Sequence, residues 1–275
     1  NTPRFLVLAD AQCTVTSVST DVDCWSTSSG GNGTAIPDGD DTCNLDANSG
    51  AGTGTMDADL SCLDSNTTGF TGTLALSTFI FNGNGTLTHA GGTVTIGASA
   101  TTGLNISGGD LTISGTASIQ CGVAACNATV VGNLTISSTT AYIDFGSGSW
   151  TVNSAWSNST TSASWDAGTG AVIFDSTGGR TMTFAGTNLA EDEFNNVTFN
   201  SQAAITYTMA TRGLRLGGLL SVTDAATTVG LTTSNLAVTA GSVTIGTNGT
   251  LTAGSSTITI SGNFNFSAGT FTYGT

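Results

Sequence analysis

The chain has 275 residues and a formal net charge of −14, from 18 acidic side chains against 4 arginines and no lysine. That balance excludes a nucleic-acid binder, which needs a basic face to neutralise phosphates, and no apolar run approaches the roughly 18 residues of a bilayer-spanning helix. With 53 Thr, 31 Ser and 38 Gly but only 2 Glu and 3 Gln, good helix formers are scarce, and the composition predicts an all-β chain.

The opening stretch, Asn1 to Asp10, has neither an initiator Met nor a basic n-region, so the chain reads as a mature or partial piece of a longer polypeptide. Within it, Phe5, Leu6, Val7 and Leu8 form an apolar run ahead of the first cysteine. Such a segment is expected to be ordered by adding as a strand, either to its own N-terminal cap or to the edge of another subunit. The six cysteines, Cys13, Cys24, Cys43, Cys62, Cys121 and Cys126, predict disulfides made in an oxidising compartment. Local pairing joins Cys13 to Cys24, Cys43 to Cys62 and Cys121 to Cys126. No Cys-x-x-Cys pair exists to hold zinc or haem.

Ten of the 18 acidic residues lie in the first 65 positions. Asp38, Asp40 and Asp41 on a Gly-containing loop, with Asp46 close behind, supply the hard oxygen ligands that calcium takes. They are the candidate metal site and calcium the candidate cofactor. This Cys- and Asp-rich stretch, residues 1–68, is expected to form an N-terminal cap.

From residue 69 to 275 the sequence becomes short alternating runs separated by Gly, Asn and Ser: Val94-Thr-Ile96, Leu104-Asn-Ile106, Leu111-Thr-Ile113, Leu134-Thr-Ile136, Val197-Thr-Phe199 and Val243-Thr-Ile245. Apolar–polar–apolar alternation is a strand with one buried face. Gly132-Asn-Leu-Thr-Ile-Ser137 returns as Gly262-Asn-Phe-Asn-Phe-Ser267, with Asn195-Asn-Val-Thr-Phe-Asn200 near the midpoint. A repeating unit of roughly 20–25 residues with two or three short strands predicts a parallel β-helix, or β-solenoid. At about 4.8 Å per coil it would form a prism roughly 40 Å long. Tandem antiparallel β-sandwiches are the alternative. Three-residue strand cores, turns without Pro, and Asn recurring at matching repeat positions favour the solenoid.

The stretches Gly132-Asn-Leu-Thr-Ile136, Gly168-Thr-Gly-Ala-Val-Ile-Phe174, Phe194-Asn-Asn-Val-Thr-Phe-Asn200 and Ser267-Ala-Gly-Thr-Phe-Thr272 resemble the β-helical repeats of large secreted bacterial surface proteins, adhesins and autotransporter passengers among them. Trp25-Ser-Thr-Ser-Ser-Gly-Gly31, followed by Ile36-Pro-Asp-Gly-Asp-Asp41, is similar to an opening segment found ahead of such repeats. The resemblance implies an extracellular stalk or adhesive surface and carries no catalytic residues with it.

Other chemistry is sparse. Asp166 with Asp175, or Glu191-Asp-Glu193, are the carboxylate sets available for polysaccharide hydrolysis, with Arg180 as the basic residue a lyase would need. Trp150, Trp156 and Trp165 with Tyr142 could form either a sugar-stacking platform or bulky core. His89 has no triad partner and reads as structural. Asn-x-Ser/Thr sequons at Asn32, Asn66, Asn84, Asn105, Asn127, Asn133, Asn158, Asn196, Asn248 and Asn265 are candidate glycosylation acceptors. The aromatic C-terminal coil, with Phe264, Phe266, Phe271 and Tyr273, is the expected acceptor edge for the Phe5–Leu8 segment of a neighbour, which would give a head-to-tail polymer. The leading functional expectation is therefore a non-enzymatic extracellular structural protein of a surface fibre or adhesin, with itself and surface glycans as partners. The alternative is a carbohydrate-active or carbohydrate-binding β-helix of the phage-tailspike or polysaccharide-lyase type.

Overall fold

The computed structural model describes residues 1–97, 103–122, 125–158, 160, 165–184, 194–266 and 268–274, with Trp165 described by its backbone alone. The chain winds into a β-solenoid of about nine turns. Among the described residues most coils contribute one short strand to each of three sides. In a central coil these are Leu111–Ile113, Ser118–Cys121 and Ala128–Val130. The next coil begins with Leu134–Ile136, which lies parallel on the first strand with Leu111 beside Leu134 and Ile113 beside Ile136. Repetition of this step builds a 13-stranded sheet on one side and a 10-stranded sheet on another. The third side carries a 6-stranded sheet, and from Leu214–Arg215 onward a 3-stranded sheet occupies the corresponding place in chain order.

The period-two pattern explains the interior. Inward residues stack into ranks that run along the axis, such as Leu87, Leu111, Leu134 and Trp156, or Leu104, Ala128, Trp150 and Val172. All eight are at most 3% exposed. Removing a side chain from such a rank, Leu to Ala, typically costs about 2–5 kcal/mol because the coils above and below cannot both collapse into the gap. Outward positions carry Thr, Ser and Asn, whose β-branching or short polar groups suit a pleated, solvated face. One stretch of the core is aromatic: Phe145, Trp150, Trp156, Phe174 and Phe194 pack at centroid distances between 5.1 and 6.3 Å.

Turns between strands stack as well, and this restricts side chains. Gly168 has φ +56° and lies over Gly146, whose φ is +58°. A Cβ at Gly168 would come within 1.9 Å of the Gly146 carbonyl, so the position takes only glycine.

Parallel stacking begins well before residue 69. Thr42–Asn44 pairs with Ser65–Asn66, Thr53–Thr55 with Thr73–Ala75, and Leu60–Cys62 with Phe81–Gly83, all parallel. The composition break near residue 68 therefore marks a change in turn chemistry, with acidic turns giving way to Gly and Asn. The covering element is shorter than residues 1–68. Pro3–Leu6 lies parallel on Thr42–Asn44, and Trp25–Ser26 pairs antiparallel with Pro3–Leu6 on its far side. Trp25 is a fully buried member of this lid, and its indole N–H donates to the Val18 carbonyl at 2.6 Å.

Candidate functional site

The acidic loop does not converge on a cation. Asp38 accepts the Asp40 N–H at 3.0 Å, and Asp46 accepts the Asn48 N–H at 2.9 Å, each closing its own turn. Asp41 turns inward instead, 6% exposed, accepting from the Thr2 N–H at 3.1 Å and from Arg4 Nε at 3.0 Å. Burial works against its charge, yet the Arg4 guanidinium and the Thr2 N–H together hold the Asp41 carboxyl below the ordinary value. Among the described residues no group of three or more His, Cys, Asp or Glu is placed to hold a metal. Of the four carboxylates expected to hold calcium, Asp38, Asp40, Asp41 and Asp46, Asp41 thus turns to Arg4 and Thr2 while Asp38 and Asp46 each accept within their own turn.

The same use of side-chain oxygens runs along the molecule, where it bonds coil to coil. At the corners, an Asp or Asn of one coil accepts a backbone N–H of the next. Asp59 takes Ile80 N–H at 2.8 Å, Asp64 takes Thr86 at 2.7 Å, and Asp110 takes Asn133 at 2.7 Å. Asn127 then takes Ser149 at 2.8 Å, Asn133 takes Ala155 at 3.2 Å, Asn196 takes Leu219 at 2.9 Å and Asn235 takes Ser255 at 2.9 Å. The sequence separations lie between 20 and 23, one coil each. Asn105 adds a side-chain rung to Asn82 at 3.0 Å. Recurrence of Asn at repeat positions was the signal, but which backbone group each one reaches emerges only from coil register.

Two buried polar bridges reinforce these corners. His89 is fully buried, with Nδ1 2.9 Å from the Thr67 hydroxyl and Nε2 2.9 Å from the Ser118 carbonyl. The carbonyl only accepts, so Nε2 carries a proton; burial lowers the ring's pKa to about 4, which keeps it neutral near pH 7. Tyr207, also buried, donates to the Asn200 carbonyl at 2.9 Å and accepts the Ser176 N–H at 2.7 Å.

The carboxylates considered for hydrolysis are separated by the fold. Asp166 lies in the six-stranded sheet in register with Asp144, and accepts the Gly168 N–H at 2.9 Å. Asp175 lies in the ten-stranded sheet and is bonded by Asn200 at 3.2 Å and Gln202 at 3.1 Å. Arg180 stacks in register with Tyr207 on the 13-stranded sheet. Glu191, Asp192 and Glu193 lie outside the described residues. Trp150 and Trp156 are core residues at 0% and 1% exposure, which removes the sugar platform and leaves Tyr142 half-buried on an outer face.

All six cysteines are paired, Cys13–Cys24, Cys43–Cys62 and Cys121–Cys126. The sequons divide by exposure. Asn32, Asn66, Asn84, Asn248 and Asn265 are exposed, Asn105, Asn127, Asn133 and Asn196 are half-buried, and Asn158 is 1% exposed. Asn158 is therefore corrected as a modification site in the folded chain: it points inward, in the rank of Ile136, and accepts from Thr160.

The assembly residues fare differently at the two ends. Phe5 and Leu6 pair with Ser26 and Trp25 of their own chain, and Leu6, Val7 and Leu8 are buried. Within this chain the segment pairs with its own N-terminal lid, which uses its backbone and apolar faces. At the other end Phe264, Phe266 and Tyr273 are 38%, 51% and 64% exposed, and Phe271 is half-buried among them.

Comparison with family models, curated proteins and solved structures returns no match. Three disulfides point to an oxidising environment, and no helix among the described residues is long and apolar enough to cross a membrane.

Proposed function

We propose that this chain is an extracellular structural element, a rigid segment of a cell-surface fibre, stalk or adhesin. The observation that carries the reading is the ladder of Asp and Asn side chains bonding each coil to the next. Asp59, Asp64 and Asp110, with Asn127, Asn133, Asn196 and Asn235, hold coil spacing, which is what a load-bearing rod requires. Stacked coils with a repeating corner bond give stiffness along the axis, since each repeat touches its neighbours through backbone, core rank and corner at once. Covalent cross-links and the absence of lysine suit a setting exposed to proteases. Immunogold labelling of producing cells with antibody against this chain tests the proposal: label on the outer surface and on projecting material is expected, whereas label confined to the cell interior overturns it.

A further inference from the structure

The outward side of the 13-stranded sheet carries an array of hydroxyl groups that the bonding between coils leaves unused. Thr181, Thr208, Thr232 and Thr252 stand in register on four successive strands of that sheet. Two residues earlier along the strands, on the same face, Thr206, Gly230 and Thr250 form a second rank. On the other flank Thr183 continues a third rank made by Thr88, Thr112, Thr135 and Ser157. These threonines and Ser157 are exposed or half-buried, and among the described residues none of their hydroxyls is bonded within the chain. No Asp, Glu or Arg occupies an outward position on these strands. The other two sides differ: the outward rank of the ten-stranded sheet is broken by Asn105 and Ile173, and the six-stranded sheet carries Tyr142 and Asp144. Within a rank the threonines repeat at the strand spacing, about 4.8 Å, and adjacent ranks are two residues apart along the strand, roughly 6.7 Å. Both distances lie within roughly a tenth of the two oxygen repeats on the prism face of hexagonal ice.

From this register we propose that the threonine face binds ice, with the crystal surface itself as the ligand. Water held by the hydroxyls and confined between the Cγ2 methyls takes up the repeat of the array, and that repeat continues into the crystal. The ladder of parallel strands fixes the Cβ positions, and β-branching restricts each Thr to few rotamers, so the hydroxyls are placed before contact. Each contact is weak, but little ordering is left to be done on binding, and engaging one rank brings the others into register. A charged side chain would order water around itself and break the repeat; this face has none. Gly230 leaves one gap in the second rank, while the rank from Thr181 to Thr252 is unbroken. The activity goes beyond the proposed structural role and does not rest on it, since adsorption needs only the face.

Cold-stage microscopy of fine ice grains in sucrose solution, with the full chain added, decides the matter. The chain should halt grain coarsening and cut growing single crystals into facets, at concentrations where serum albumin does neither. Thr208→Tyr and Thr232→Tyr each place a ring above the plane of the array while keeping a residue that suits a strand. Each should raise the concentration needed at least tenfold, with the thermal melt within a few degrees of wild type. Thr198→Tyr makes the same change on the outward side of the ten-stranded sheet and should leave the effect on ice unchanged. Grains that coarsen as they do with albumin overturn the proposal. So does a loss as large in Thr198→Tyr as in Thr208→Tyr, and so does full activity in both array variants. Side-by-side pairing of copies through this face, seen by sedimentation without any effect on ice, would overturn it as well.

Discussion

Single residues inside the solenoid carry its pH dependence. His89 is neutral between Thr67 and Ser118, with a folded pKa of about 4 against an ordinary value of 6.5. A lowered folded pKa means that the unfolded chain takes the proton first. The stabilisation is therefore complete above about pH 6.5 and lost as pH falls toward 4, a change of roughly 3 kcal/mol at about 1.4 kcal/mol per pH unit. Asp41, Asp57 and Asp224, all lowered, lose their contribution at more acid pH, below their ordinary value of 3.8. Thermal melts of wild type and His89→Gln between pH 7 and 4 separate these groups: the wild-type Tm should fall across that window, and the variant should be nearly flat. Corner residues predict a different signature. Asn133 accepts from Ala155 and Ser154 and donates to Asp110, so Asn133→Ala should cost about 2 kcal/mol. The exposed Asn32→Ala should change stability by less than about 0.5 kcal/mol. Chemical denaturation of the two variants checks both values.

At the level of strands and turns, alternation is local and therefore readable: Leu111-Thr-Ile113 announces an inward Leu and Ile and an outward Thr whatever surrounds it. Coil length was readable for the same reason, because Gly132-Asn-Leu-Thr-Ile136 returns at multiples of one coil. Asp38 and Asp64 show where this stops. Each is an Asp in a Gly- or Asn-containing turn, yet one closes its own turn and the other bonds the coil above. The difference lies in which N–H the next coil presents, and that is set by register across some 22 residues. The Trp150 and Trp156 rings were ambiguous for a related reason, since a bulky aromatic fits a face or a core until the neighbouring ranks are known. Disulfides act on whole elements too. Cys43–Cys62 joins two sides of one coil across 19 residues, both sulfurs fully buried. The double variant Cys43→Ser/Cys62→Ser should lose about 3 kcal/mol through a freer unfolded state, measurable as a lower denaturant midpoint.

Across the whole molecule, Asp59, Asp64 and Asp110 bond one coil to the next while Asp38, Asp41 and Asp46 accept from separate donors, so a chelator should leave the melting temperature unchanged within error; a fall of several degrees would contradict the geometry of the N-terminal loop. The strands lie across the long axis, and the bonds between coils lie along it. A pull applied to the two termini therefore opens rungs a few at a time and does not shear whole sheets. Under tension the chain should come apart as a sequence of small, nearly equal releases, each freeing one coil. With about 23 residues per coil and roughly 3.4 Å per extended residue, each step lengthens the tether by roughly 75 Å. The coil closed by Cys43–Cys62 should release far less, because its 19-residue loop stays locked until the sulfurs are reduced. A single-molecule force trace with nearly even steps, shortened where a disulfide locks part of the chain and most of all at Cys43–Cys62, and restored by reductant, is the expected record. A single cooperative rupture would show instead that the coils fail together. An anchored rod built this way gives ground gradually and re-forms from whichever coils remain, so the corner bonds that hold coil spacing at rest also set how the molecule yields under load.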